Sequence, residues 1–189
     1  HARLADVYSA MDRHTEAAAA YARAIALSGI GDWTLLLLQA SALESADRWP
    51  ESKAALGRAM QIAPDQPLIL NFLGYSKLER GEDLDMAEAL IRKASALAPD
   101  DASITDSLGW ALFKRGRMDE AIATLQRAAM GDPAQAEIQE HLGDALYTAG
   151  RKFEARFAWQ AALATADKDA VGRLQSKIDG GLTAATAAR

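Results

Sequence analysis

Residues 102–135 read ASITDSLGWALFKRGRMDEAIATLQRAAMGDPAQ, and this stretch decides the fold because the chain repeats it on both sides. Leu108-Gly109 returns as Leu73-Gly74 and Leu142-Gly143, Gly116 as Gly81 and Gly150, Ala121 as Ala87 and Ala155, and Ala128 as Ala94 and Ala162. Pro133 returns as Pro99 and Pro64. Two more units align upstream once alanine is accepted in the glycine slot, with Ala5 and Ala40 for Gly74 and Ala24 and Ala59 for Ala94. Five units with a fixed period indicate stacked repeats.

Each column has a physical reason. A unit reads as two helices separated by a turn whose glycine takes the left-handed conformation that ends the first helix. Small residues at Gly74, Gly109 and Gly143, and again at Ala87, Ala121 and Ala155, let the two helices approach. Leu73, Leu108, Leu142, Ile91, Leu125 and Trp159 are expected to fill the space between hairpins. Each proline suits the junction after the second helix, which it cannot continue. One such hairpin cannot bury its own apolar face, so neighbours must stack. Composition agrees: half the residues are apolar, much of that alanine, and aromatics are only 6%, which reads as all-α. No proline-, glycine- or serine-rich linker interrupts the chain, so one continuous body is expected.

Lys and Arg number 21 against 26 Asp and Glu, a formal charge of −5, and no basic cluster stands out. That argues against a nucleic-acid partner, whose phosphates demand neutralising cations. Cysteine is absent, which excludes disulfides and thiolate chemistry but fits either redox compartment. The longest apolar run, Leu35 to Leu38, is far short of the roughly 20 residues of a membrane span, so no direct membrane insertion is expected. The chain opens without methionine inside a helical pattern, Leu4 to Tyr8, and is read as a fragment.

The pattern resembles the tetratricopeptide repeat, over about residues 1–167. The match is strongest at Leu70, Leu73-Gly74, Ala87, Ile91, Ala94 and Pro99; at Leu108-Gly109, Leu112, Gly116, Ala121, Leu125, Ala128 and Pro133; and at Leu142-Gly143, Gly150, Ala155, Trp159 and Ala162. The resemblance implies an all-α, right-handed superhelical solenoid of about five helix-turn-helix repeats, in units 1–32, 33–66, 67–101, 102–135 and 136–167. Three departures stand out. The third unit carries an extra residue near Glu82 to Met86, the second has Gln39-Ala40 and Ser52 in place of Leu-Gly and Ala, and Asp167 replaces a proline. Residues 168–179 are expected to form a capping helix with Val171, Leu174 and Ile178 on one side and Lys168, Arg173 and Lys177 turned elsewhere. Residues 180–189 are expected to be a loose tail.

The strings Leu73-Gly74-Tyr75, Asp106-Ser107-Leu108-Gly109-Trp110 and His141-Leu142-Gly143-Asp144 also resemble bacterial envelope proteins in which such repeats form adaptors or scaffolds. This implies a periplasmic or outer-membrane-associated parent, with the cytoplasm as the alternative.

In the family, the first helix of each unit lines the concave side. Carried onto this sequence, the ligand-facing positions are Asn71, Tyr75 and Leu78; Asp106, Trp110, Phe113 and Lys114; and Glu140, Asp144 and Tyr147. Residues 106, 110 and 113 make one helical stripe. One reading is a groove of aromatic anchors ringed by carboxylates for an apolar or weakly basic peptide or helix, with Asn71 bridging a backbone amide. The other is that these aromatics are inner-wall core. Family members that grip C-terminal carboxylates place bases on this face, whereas only Lys114 is basic here, so a carboxylate clamp is not expected.

No catalytic motif accompanies the repeats: there is no glycine-rich phosphate loop, no nucleophile elbow and no His-Glu-x-x-His. The pair His141 and Asp144 is read as structural. Asp83/Asp85 and Asp100/Asp101 fall in turns, as helix caps. The expectation is a non-enzymatic protein-binding module, with no cofactor and no metal, whose partner is another protein. The alternative is a structural module that forms homo-oligomers through an exposed solenoid end, a contact that in a fragment would be an artefact.

Overall fold

The structure, a computed structural model, describes residues 1–28, 31–183 and 186. It contains two compact units, His1–Leu73 and Gly74–Arg189. The described residues form eleven α-helices and no strand. The first unit holds α1 (Ala2–Ala10), α2 (His14–Ser28), α3 (Trp33–Ser45), α4 (Trp49–Ile62) and the start of α5 (Pro67–Glu79). The second holds the rest of α5, then α6 (Leu84–Leu97), α7 (Ala102–Lys114), α8 (Met118–Gly131), α9 (Ala136–Thr148), α10 (Lys152–Thr165) and α11 (Lys168–Gly180).

Successive helices pack on one another within each unit: α1 to α4 in the first, and α6 on α7 and then α7 to α11 in the second. In the second unit the odd-numbered helices also meet each other, α7 touching α9. Together they form one wall of that unit.

The leucine-glycine columns explain how tightly each hairpin closes. A Cβ on Gly109 would lie 2.6 Å from Leu125 Cγ, and one on Gly143 would collide with the indole of Trp159. Real Cβ atoms do not approach so closely, so α7 and α9 can sit this near their partners only at glycine. Ile91, Leu125 and Trp159 are fully buried, but Leu125 and Trp159 lie over the glycine of their own unit, as Ile91 lies over Gly74. They fill space inside a hairpin and also share core clusters with the element that follows, Ile91 with Leu108 and Leu112, Leu125 with Leu142 and Ala145, and Trp159 with Leu174. In the second repeat, where alanine replaces glycine, Ser52 is buried and its Oγ donates to the Ala40 carbonyl at 2.9 Å.

The turns between paired helices use a left-handed residue. Gly116 (φ 75°) fills that place after α7, whereas Asp47 (φ 57°) fills it after α3, an aspartate tolerating a conformation that most residues avoid. The extra residue of the third repeat is absorbed here. Gly81 is left-handed, and so is Asp83, which caps α6 by accepting from Met86 N. Asp101 caps α7, but Asp85 lies in the first turn of α6 and accepts from Arg115 at 2.6 Å.

Four of the five even-numbered repeat helices start with the same clasp. Arg13, Arg48, Arg117 and Arg151 each donate to a glutamate three residues on, Glu16, Glu51, Glu120 and Glu154. These acids sit in the first turn, where the helix dipole favours them. The third repeat lacks the clasp, because its inserted residue hands the cap to Asp83.

Helix α11 packs on the last hairpin through Leu174 and Ile178, but the rest of its expected face departs. Lys177 is fully enclosed beside Leu174, while Val171 is exposed. Gly181 (φ 85°) ends the helix, its N–H donating to the Lys177 carbonyl at 2.8 Å. Gly181 is buried against the Tyr147 hydroxyl and Leu182 packs on the core, so the described start of the tail is held in place. Residues 184, 185 and 187–189 of the expected tail lie outside the described residues.

Candidate partner-binding face

The ten positions expected to line a groove separate into two groups. Five are enclosed: Asp144 is 0% exposed, Trp110 1%, Leu78 2%, and Asp106 and Glu140 4% each. The other five reach the surface: Lys114 is exposed, and Asn71, Tyr75, Phe113 and Tyr147 are partly so. The first five are covered largely by the next odd-numbered helix.

Each enclosed acid is met by a donor from one repeat later. Asp106 Oδ2 on α7 lies 2.8 Å from His141 Nδ1 on α9. Glu140 on α9 receives Arg173 and Lys177 of α11, with Arg173 Nη2 at 2.7 Å from Oε2 and Lys177 Nζ at 2.5 Å from Oε1. Lys177 Nζ also lies 2.8 Å from both oxygens of Asp144, which accepts from Trp159 Nε1 at 2.9 Å. The same order holds one repeat earlier, where Glu79 on α5 accepts from Trp110 Nε1 on α7 at 2.8 Å, with Lys114 at 3.5 Å. Enclosed charges need such partners, since each would otherwise forfeit its hydration.

His141 and Asp144 therefore do not act together. The imidazole turns back to Asp106 and stacks on Trp110, with centroids 4.1 Å apart, while Asp144 turns to α10 and α11. Burial pulls the His141 pKa down, but the charge and hydrogen bond of Asp106 outweigh it and leave the pKa raised. For Glu140, burial pulls upward, and the hydrogen bonds from Arg173 and Lys177 outweigh it and leave the pKa lowered. Sequence reasoning missed Arg173 and Lys177 as partners because charged residues on a terminal helix read as its solvent face.

The surface-reaching residues surround this seam. Phe113 stacks on Trp110 with centroids 4.8 Å apart, and the Lys114 ammonium lies 5.1 Å from the same indole. Tyr147 leans on Trp159 at 5.4 Å. Tyr75 on α5 reaches α9, its hydroxyl donating to Glu137 Oε1 at 3.3 Å. Burial first, then the charges of Glu137, Glu79 and Asp106, push that hydroxyl's pKa up. Asn71 has a buried Oδ1 with no hydrogen-bond partner. A cleft of about 210 Å³ opens between α9 and α11, lined by Glu137, Glu140, His141, Asp167 and Arg173. Among the described residues no helix is long and apolar enough to cross a membrane, and no group of three His, Asp or Glu could hold a metal ion.

Tetratricopeptide-repeat family models match residues 1–29 and 109–150. No curated protein matches the sequence. Among solved structures, the chain is similar to TTC0263, a thermophilic TPR protein of Thermus thermophilus, at 21% identity over 95% of this chain and 96% of that one, with a TM-score of 0.78. It is similar to PilW, a type IV pilus biogenesis factor, at 21% identity over 98% and 86%, with a TM-score of 0.78. A third is YrrB, a TPR protein with an unusual peptide-binding site, at 17% identity over 93% and 90%, with a TM-score of 0.62. At these identities the likeness is one of fold.

Proposed function

We propose that this chain, a member of the tetratricopeptide-repeat family, is a non-catalytic adaptor that holds a segment of another protein on the wall formed by α5, α7 and α9. The observation that carries this reading is the row left at the surface of that wall. Tyr75, Phe113 and Lys114 remain accessible, Tyr75 bonded to Glu137 and the other two lying against Trp110, although the indole beneath them is sealed. Aromatic rings over a rigid, internally satisfied base make good anchors, because little side-chain freedom is lost on binding. The likeness to YrrB, described as having a peptide-binding site, supports a peptide ligand.

The test is affinity capture from source-cell extract, envelope and cytosol kept separate, with the chain and a Tyr75→Ala/Phe113→Ala variant as paired baits of equal helicity. A partner held by the first and lost by the second supports the reading. Partners held equally by both, or none, refute it. Trp110 is unsuited to this test because its removal would open the core.

A second reading has its own observation. Leu4 and Val7 on α1 and Met11 just after it are exposed apolar residues, a surface suited to a second copy of the chain. Light scattering over a concentration series, with Val7→Glu as the control, distinguishes an oligomer from an adaptor monomer.

A further inference from the structure

Phe153 and Phe157 lie four residues apart on α10 and so share one stripe of that helix. Their rings meet edge to face with centroids 4.8 Å apart, yet Phe153 is 74% exposed and Phe157 57%. The core side of α10 is already filled by Ala155, Ala158 and Trp159, all buried. Folding gains little from rings left in water. The repeat pattern gives no structural reason for them either, because the same two positions hold Asp85 and Ala89 in the third repeat and Asp119 and Ala123 in the fourth.

Cations flank the pair. Lys152 and Arg156 each precede a phenylalanine by one residue and form the neighbouring stripe, again four apart. Both are exposed, and neither has a carboxylate within ion-pair distance among the described residues. The acid of this turn, Glu154, is held by Arg151. The Lys152 ammonium lies 5.4 Å from the Tyr147 ring centroid, a contact that leaves its charge uncancelled. By contrast, Arg117 at the start of α8 meets both Glu88 and Glu120.

We propose that this face of α10 is a docking site for an acidic amphipathic helix of a partner protein, its apolar side chains on the Phe153–Phe157 pair and its carboxylates toward Lys152 and Arg156. Rings four residues apart on one helix suit apolar side chains three or four apart on another, the spacing by which helices interlock. Charge decides the kind of partner, since acids meet Lys152 and Arg156 at opposite sign and bases at like sign. A membrane surface fits less well. Attachment to anionic lipid takes a cluster of about four to eight cations, whereas this face presents Lys152 and Arg156 on a chain of formal charge −5. The face lies on a different helix from the α5, α7 and α9 wall, and the inference stands apart from the adaptor reading of that wall.

The experiment pans a random peptide display library on the chain, depletes it on a Phe153→Ala/Phe157→Ala variant and resynthesises the peptides that survive. Both rings are exposed, so this variant should keep the parent's helicity and thermal midpoint. Expected are peptides with apolar residues at helical spacing and more acids than bases, bound about tenfold to a hundredfold more weakly by the double-alanine variant. Lys152→Glu/Arg156→Glu should weaken the same peptides about tenfold at low salt and far less at about 1 M salt. Tyr75→Ala/Phe113→Ala should bind them as the parent does. Peptides without an excess of acid, or held equally by the charge-reversed variant, overturn the acidic partner. Peptides lost by Tyr75→Ala/Phe113→Ala, or no surviving peptide, overturn the site. So do two results that give the pair another occupant: sedimentation of the chain with phosphatidylglycerol vesicles, or a concentration-dependent dimer in light scattering, either one abolished in the double-alanine variant.

Discussion

Replacing Lys177 with methionine tests whether the seam between α9 and α11 holds as a set of charges. Methionine keeps most of the unbranched stem and its volume, so the change is chiefly the loss of the ammonium. That ammonium is fully enclosed, 2.5 Å from Glu140 and 2.8 Å from both oxygens of Asp144. Glu140 keeps Arg173, while Asp144 loses its ammonium contact and stays in an enclosed site. Removing one partner of a buried ion pair costs about 3–5 kcal/mol. For a chain of 189 residues, with about 2–4 °C per kcal/mol, the midpoint should fall by roughly 6–20 °C. Thermal and urea unfolding followed by circular dichroism measure the loss. Lys177→Met/Asp144→Asn should recover more than half of it, since the neutral amide can still accept from Trp159. A single variant within about 0.5 kcal/mol of the parent would refute the reasoning. So would a double variant whose losses simply add, because the cost would then lie in packing.

The His141–Asp106 pair gives a pH dependence of definite sign. The folded pKa of His141 is raised above 6.5, so the pair's contribution is full below about pH 6.5 and is lost as pH rises through the folded value; urea midpoints across that range should decline less steeply in His141→Gln. Glu140 behaves oppositely: its folded pKa is depressed below 4.5, so its contribution is present above that pH and is lost on acidification, as an acid unfolding titration of Glu140→Gln against the parent would register. Gly143→Ala should destabilise by about 1–3 kcal/mol despite alanine's better helix propensity, because the new methyl has the Trp159 indole in its way; a midpoint equal to or above the parent's would contradict the close-approach account. At the turns, Asp47→Gly should stabilise by up to about 1 kcal/mol while Gly116→Ala should cost about that much, both read from calorimetric midpoints.

The fold was legible because repetition is a pattern in one dimension. Leu108-Gly109 recurring one period away on each side identifies the hairpin, and the crowding at Gly109 and Gly143 shows why the column cannot vary freely. Even the irregular third repeat was detectable, although its extra residue gave no hint that Asp83 would become a left-handed cap. The groove was harder. Helical geometry puts Asp106, Trp110, Glu140 and Asp144 on one side of their helices, and a side that faces a neighbouring helix reads in sequence like one that faces solvent. Which one wins depends on the donors the next helix brings. Lys177 was misjudged for a related reason: lysine is so seldom enclosed that its position on α11 read as surface. A signal was present: Asp106 has His141, and Glu140 has Arg173 and Lys177, each about one period later, so scanning for acids followed at that distance by bases would have exposed the seam.

The direction of these pairings limits how such a chain can lengthen. The enclosed acids of the seam look forward, Asp106 to α9 and Glu140 and Asp144 to α11, as Glu79 does to α7. A tandem duplication of residues 102–135, the simplest genetic route to a longer array, would set Asp106 against the copy's Ser107, which shares the column of His141. A hydroxyl would then stand where an imidazole met a buried carboxylate. New repeats therefore cannot be copied in without a compensating base, and the order of units becomes a heritable property of the molecule, fixed by electrostatics as firmly as by the shapes of leucine and glycine.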